Sequence, residues 1–281
     1  MNKKYAIISN KEKDKNNKVS YLIGNMLKKL ENCEIYNLSI GQNELIEDKF
    51  IKDADIIFSL GGDGTFLNIA RQTSKLGIPI LGINLGSLGF LSEVELKDLE
   101  SSIKKIHSGK YDIVNRLMIH SNIYRSSILK YKDNALNDFV ISRGELSRII
   151  TLELHINGSY VDSFPGDGLI VSTPTGSTGY ALSAGGPVIE HDASLILITP
   201  ICSHVMHSRS FVISNNSKIE IKLKGNNNTQ CLMTVDGQKA YTLTTEDIIK
   251  IEVSNIKAKL IKVSDRSFYD VLRKKMYNRE R

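Results

Sequence analysis

At 281 residues the chain has about twice the length of an average domain, enough to bury a core without disulfide or metal staples. Hydrophobic residues make up 41% and charged residues 24%; with no apolar run near the ~20 residues of a spanning helix, this composition excludes a disordered or membrane-embedded chain and leaves no membrane partner to expect. The first apolar stretch is too brief for a signal segment, so the expected location is cytoplasmic. Cys33, Cys202 and Cys231 show no C-x-x-C spacing and suggest neither a disulfide framework nor a zinc site. The formal net charge of +6 favours anionic substrates. Its basic residues are dispersed with little aromatic interleaving, so no nucleic-acid partner is expected.

In chain order, residues 5–9 read as a short apolar strand, 19–30 as a helix, 35–37 as a strand and 55–60 as a buried strand of the parallel kind. Residues 65–76 read as a helix ending at Gly77, and 78–83 as another buried strand. Strand, helix and strand in alternation predict an α/β layer with a parallel sheet. Beyond about Gly109 the period becomes two: Leu152, Leu154 and Ile156 alternate with polar residues, as do Ile219, Ile221 and Leu223, then Ile249, Ile251 and Val253. This is antiparallel grammar, and Asn157-Gly158 and Asp236-Gly237 are hairpin signals between such runs. A mostly β second domain is expected. Residues 258–263 and 268–276 then read as one more strand and a helix. The expected division is 1–104 for the α/β domain, 105–251 for a β-sandwich, and 252–281 for a strand and helix that return to the first domain.

Thirteen of the twenty glycines fall in two windows, 61–89 and 166–186. The first opens with Gly61-Gly62-Asp63-Gly64-Thr65 between a buried strand and a helix start, where free amides and the positive end of the helix dipole suit phosphate oxygens. The chain has no G-x-x-x-x-G-K-[ST], and no third glycine follows at the dinucleotide-fingerprint spacing, which disfavours a Walker NTPase and a Rossmann dehydrogenase. Asp63 sets a carboxylate beside this cradle. It can accept the proton of an attacking hydroxyl, help hold Mg²⁺ on phosphoryl oxygens, or only cap the helix. The second window is a short strand breaking into turns dense in hydroxyls and glycines, a surface able to hydrogen-bond a ribose, amide or phosphate, with Tyr180 available for stacking. His204 and His207 lie three apart without a third ligand, so no metal site is assigned to the protein.

The segment 61–65 resembles the GGDGT motif of the NAD kinases, shared more loosely with diacylglycerol and sphingosine kinases and, as GGDG, with phosphofructokinases. Residues 82–91 resemble the family's G-x-N-x-G-x-L-G-F-L segment. Residues 167–187, from Asp167-Gly168 through Ser172-Thr173-Pro174-Thr175-Gly176-Ser177-Thr178-Gly179-Tyr180 to Gly185-Gly186-Pro187, resemble a signature that the lipid kinases lack. The resemblance runs over essentially the whole chain. It implies a phosphofructokinase-like α/β N-terminal domain with a parallel sheet, followed by an all-β C-terminal sandwich. The implied activity is transfer of a phosphoryl group from ATP, or another donor, to the 2′-hydroxyl of the adenosine ribose of NAD, giving NADP, with Mg²⁺ as divalent metal. Asp63 is the implied catalytic residue. The dinucleotide would lie in the cleft between the domains against Gly64, Phe90, Asn137, Asp138, Arg148, Asp167, Thr178, Gly179, Tyr180, Ser183 and Gln238. Asp138 stands where the family has glutamate and Gly179 where alanine is usual. Pro165, Asn68 and Ser87 stand where relatives often carry a cation. The family further implies a homodimer or homotetramer. A lipid kinase sharing only the first motif and a non-catalytic dinucleotide sensor are the competing classes.

Overall fold

The computed structural model describes every residue except 1, 31–32, 42–43, 45, 48, 50, 87–88, 145–148, 205–207, 226–230 and 278–281. The chain divides into two compact units, one of Met1–Arg116 with Ile256–Arg281, the other of Leu117–Asn255.

In the first unit β1 (Lys3–Asn10), α1 (Lys18–Lys28), β2 (Cys33–Ile40), β3 (Ile56–Gly61), α2 (Asp63–Thr73), β4 (Ile80–Asn84), the two-residue β5 (Val94–Glu95) and α3 (Leu99–His107) follow one another. The strands are parallel in the order β2-β1-β3-β4, with Tyr5 opposite Ile56 and Ile57 opposite Ile80. All six residues of β3 are buried, as a parallel strand covered on both faces requires. Tyr5, Ile7, Phe58 and Leu60 pack with Ile23 and Leu27 of α1 and with Leu99, Ile103 and Ile106 of α3. Helix α2 buries Phe66, Ile69 and Ala70 and brings Phe66 against Gly82 of β4. It starts two residues earlier than the expected 65–76, at Asp63, and its last turn tightens to a 3-10 turn over Ser74–Leu76, stopping at Gly77 with φ +68°. That left-handed stop is one glycine adopts without a Cβ clash.

The strand β6 (Asp112–Arg125) leads into the second unit, which continues with β7 (Ile128–Ala135), β8 (Asp138–Arg143), β9 (Ile150–Ile156), β10 (Ser159–Gly166), β11 (Gly168–Ser172), the one-turn α4 (Tyr180–Ser183), β12 (Leu195–Ile201), β13 (Phe211–Ser214), β14 (Ile219–Lys224), β15 (Cys231–Val235) and β16 (Lys239–Leu243). The final elements are β17 (Asp247–Lys262) and α5 (Phe268–Tyr277). One antiparallel run is β10-β9-β14-β17, with β6 and β7 joined at β17; a second sheet is β13-β12-β11-β8-β15-β16. Alternate residues of both, among them Leu152, Leu154, Ile221 and Ile251 from the first and Phe139, Leu169, Ile198 and Met233 from the second, share one buried cluster. The unit is therefore a sandwich. Asn157-Gly158 closes the β9–β10 hairpin with both φ values positive, 53° and 82°, the geometry the sequence pair predicts.

The expectation of separate strands around 249–253 and 258–263 is corrected, because β17 is one continuous strand of 16 residues. Ile249 and Ile251 are buried early in it, Ser254 at its middle, and Ala258 and Leu260 in its second half. The inward-facing positions thus change from odd to even near Ser254, which a period-two reading takes for a strand end. The second half pairs in parallel with β4, Leu260 opposite Ile80. Among the described residues no helix is long and apolar enough to cross a membrane.

Candidate active site

In the first unit, chemistry collects where β3 gives way to α2. Gly62 precedes the helix and Asp63 is its first residue, with no side-chain cap; Phe66 N–H is bonded to Gly62 C=O at 3.0 Å. The amides of Asp63, Gly64 and Thr65 therefore stand at a helix N-terminus without intrahelical acceptors. Asp63 does not cap α2. Its carboxylate reaches sideways to the segment after β4, where Oδ2 accepts Phe90 N–H at 2.8 Å and Oδ1 accepts Leu91 N–H at 3.2 Å, with Ser92 Oγ at 3.4 Å. Gly89 makes this approach possible, since a Cβ there would stand 1.8 Å from Asp63 Oδ1. The two loops are tied again by Leu85 N–H on Gly61 C=O at 2.9 Å. Asp63 stays half-buried and Gly64 exposed. The Phe90 ring lies 6.4 Å from that of Phe268 at the start of α5. A half-exposed carboxylate locked in place beside unpaired amides can act on a hydroxyl or share a phosphate-bound cation.

The second unit brings Asn137, Asp138, Thr178 and Gly179 together. A Cβ on Gly179 would stand 3.3 Å from Asn137 Nδ2 and 3.8 Å from Asp138 Oδ2. Asn137 Oδ1 is buried and has no hydrogen-bond partner among the described residues, an acceptor left over for a ligand donor. The peptide backbone here is gripped from the β15–β16 turn. Asp236 Oδ2 accepts Leu136 N–H at 3.0 Å, and Oδ1 accepts Asn137 N–H at 2.7 Å and Asp138 N–H at 3.0 Å. Burial, aided by the charge of Asp236, pushes the Asp138 carboxyl up to about 7, so near neutrality it can donate as well as accept a hydrogen bond. Gln238 closes the same turn, its N–H on Val235 C=O at 2.8 Å.

Most hydroxyls of the second glycine window do not form the ligand surface expected of them. Ser172, Thr173, Thr175 and Ser177 are buried. Thr173 Oγ1 donates to Leu136 C=O at 2.6 Å, and Ser177 Oγ to Pro174 C=O at 2.7 Å. Their work is to hold the turn, because buried hydroxyls need partners. What remains presented is Thr178, itself bonded to Thr175 C=O at 3.1 Å, the Gly179 backbone, the 48% exposed Tyr180 ring and Ser183 at the end of α4. Asp167 lies at the other end of β11 in sequence. It precedes β11 while Thr178 follows it, and its Oδ1 accepts Arg143 Nε at 2.6 Å. Arg148, Ser87 and His207 lie outside the described residues. His204 is exposed, and among the described residues no three His, Cys, Asp or Glu side chains are grouped to hold a metal ion.

Residues 4–111 match the model of the ATP-NAD kinase N-terminal domain, and residues 136–263 that of the ATP-NAD kinase C-terminal domain. The chain belongs to the NAD kinase family. It is 41% identical to the NAD kinase of Acetivibrio thermocellus over 282 residues, 98% of each chain, and 40% identical to that of Ruminiclostridium cellulolyticum over 285 residues, 99% of each. An NAD kinase from Archaeoglobus fulgidus in complex with ATP superposes with a TM-score of 0.75 at 27% identity, over 96% of this chain and 98% of that one. The yeast NADH kinase complexed with NADH shares the fold, with a TM-score of 0.84 at 20% identity over 100% of this chain and 89% of the other. Because both halves match, a lipid kinase sharing only the GGDGT turn is set aside. Two residues bonded to the candidate site residues escape a sequence reading: Asp236, taken for a turn residue, and Arg143, the partner of Asp167. A hairpin aspartate whose side chain is free to fold back is the one available hint for the former.

Proposed function

We propose that this NAD kinase transfers the γ-phosphoryl of ATP to the 2′-hydroxyl of the adenosine ribose of NAD. The 2′-oxygen forms a bond to the γ-phosphorus, the bond to the β–γ bridging oxygen breaks, ADP leaves, and the hydroxyl proton passes to Asp63 or to solvent. The observation that carries this reading is the Asp63 carboxylate, fixed by Phe90 and Leu91 N–H beside the open amides of α2. Those amides and the helix dipole suit the donor phosphates. The acceptor is taken up by Asn137, Asp138, Thr178, Gly179, Tyr180, Ser183 and Gln238, with Asn137 Oδ1 and the neutral-to-charged Asp138 as natural partners for ribose and base donors.

Phosphoryl transfer asks the protein mainly for alignment and charge stabilisation. Asp63 supplies a proton acceptor as the new bond forms, provided the hydroxyl comes within ~3 Å of it. Mg²⁺ fits a chain that offers the turn a single carboxylate, because that ion keeps most of its waters and binds largely through substrate phosphates. Asp63 would hold it, and when bound it supplies charge neutralisation on the phosphoryl oxygens. A cytoplasmic homodimer or homotetramer belongs to the same reading, as does a dinucleotide contact for Asp167, whose Oδ1 holds Arg143 Nε.

The test incubates purified protein and Mg²⁺ with NAD or NADH and with ATP or polyphosphate, and detects NADP by an NADP-specific dehydrogenase, after chemical oxidation in the NADH arm. NADP formed with ATP supports the reading. No signal from any pair overturns it, and light scattering of the same sample measures the subunit number.

A further inference from the structure

Lys13 stands at the same turn and has no role in the site described above. Among the described residues outside its immediate chain neighbours, the one heavy atom within 4 Å of where a Cβ on Gly62 would stand is Lys13 Nζ, at 2.7 Å. Gly62 itself has φ −123° and ψ −170°, an extended backbone open to any residue. Its lack of a side chain therefore leaves room for the ammonium and is not demanded by conformation.

The loop that presents Lys13 is built firmly. Asn10 Oδ1 accepts Glu12 N–H at 2.9 Å and Lys13 N–H at 3.1 Å, and Asp14 N–H donates to Asn10 C=O at 2.9 Å. The buried Asp14 carboxylate then takes Val19 N–H at 2.8 Å and Ser20 N–H at 3.0 Å. Lysines on the same loop differ in what they face. Lys11 Nζ is 2.7 Å from Glu44, whereas Lys13 makes no ion pair or side-chain hydrogen bond among the described residues, not even with Asp63 on the adjoining turn. A lysine held over a glycine turn, with no carboxylate to answer it, has its positive charge available to an anion.

We infer that Lys13 is a donor-binding residue, its ammonium meeting the terminal phosphate of the nucleoside triphosphate at the Gly62–Asp63 turn. This rests on the transfer reading above, which supplies the donor. A charge-assisted contact of this kind acts on the nucleotide and leaves the dinucleotide untouched. Lysine offers a point charge with three donors and suits a phosphate that changes position during transfer.

The experiment compares wild type, Lys13→Met and Lys13→Arg. Expected for Lys13→Met is a KM for ATP raised roughly tenfold or more, a KM for NAD within about twofold of wild type, and recovery of most of the ATP affinity in Lys13→Arg. Salt provides a readout that a structural role would not move, because the wild-type KM for ATP should rise with ionic strength more steeply than that of Lys13→Met. An unchanged KM for ATP, or a parallel rise in both KM values, overturns the inference. Calorimetric titration of ATP into both proteins without NAD separates the two ideas. Weaker ATP binding by Lys13→Met supports Lys13 even if no NADP is formed, and equal binding removes it even if the kinase reading holds.

Discussion

In the first unit the carboxylate of Asp63 takes N–H bonds from Phe90 and Leu91; in the second, that of Asp236 takes them from Leu136, Asn137 and Asp138. Both aspartates fasten a loop to an element end, and the device is the same charge-assisted one. They differ in what is left over. Asp236 is 5% exposed with three amide donors upon it, while Asp63 is half-buried at the first residue of α2. Fastening a loop thus does not tell a scaffold aspartate from one proposed to react, and the greater exposure of Asp63 is what separates the two.

Asp63→Asn is the sharpest way to break the comparison. It keeps shape and part of the loop contact, and is expected to lower kcat about 10²–10⁴-fold while shifting Tm by only about 2–4 °C; thermal melting beside steady-state assay measures both. Asp236→Ala should reverse that pattern. It strands two buried amides and one part-buried one and puts alanine at φ +49°, so a loss of about 3 kcal/mol or more is expected in urea titration.

The third prediction concerns Asp138. Its folded carboxyl is raised to about 7 from 3.8, so the folded chain holds more protons than the unfolded one between those values. Its contribution to stability is full below about pH 4 and lost as pH rises through about 7. Asp138→Asn should flatten this dependence, recovering on the order of 2 kcal/mol at pH 8 relative to pH 5. Denaturation midpoints at the two pH values check it, and identical slopes in both proteins would refute it. The smallest effect is expected for Gly179→Ala. Its Cβ would meet Gly176 C=O at 3.2 Å and Asn137 Nδ2 at 3.3 Å, tight but yielding on the side-chain side. Stability should stay within about 1 kcal/mol, and the KM for NAD should change by less than fivefold or so, readable by melting and by NAD titration.

The layers of the fold could be read directly from the residues. A nearly continuous apolar run, a glycine turn and a helix in that order are the pattern of a covered parallel sheet, and β3, Asp63 and α2 follow it. Asn157-Gly158 likewise permits little except a tight hairpin. What could not be read depends on contacts distant in sequence. Asp236 reaches back 100 residues to Leu136, and nothing local separates it from an ordinary turn aspartate. The hydroxyls of Ser172, Thr173 and Ser177 look like a ligand surface in a string and turn inward because neighbouring carbonyls need donors. Ser254-Asn255 resembles a strand end, yet Ser254 Oγ donates to Asn134 Oδ1 at 2.8 Å and the strand passes through.

The path of β17 has a consequence for how the chain is made. Its second half lies beside β4 through Leu260 and Ile80, so although β5 already meets β4 at Ile83 and Asn84, the Ile80 end of β4 has no β17 beside it until residues 256–262 have been translated. A nascent chain emerging from the ribosome must hold an incomplete sheet while some 140 intervening residues are synthesised, and those can fold as an inserted body before the edge is closed. Cutting the chain after Asn255 would spare the insert and leave the Ile80 end of β4 permanently without β17, exposed to pairing with other chains.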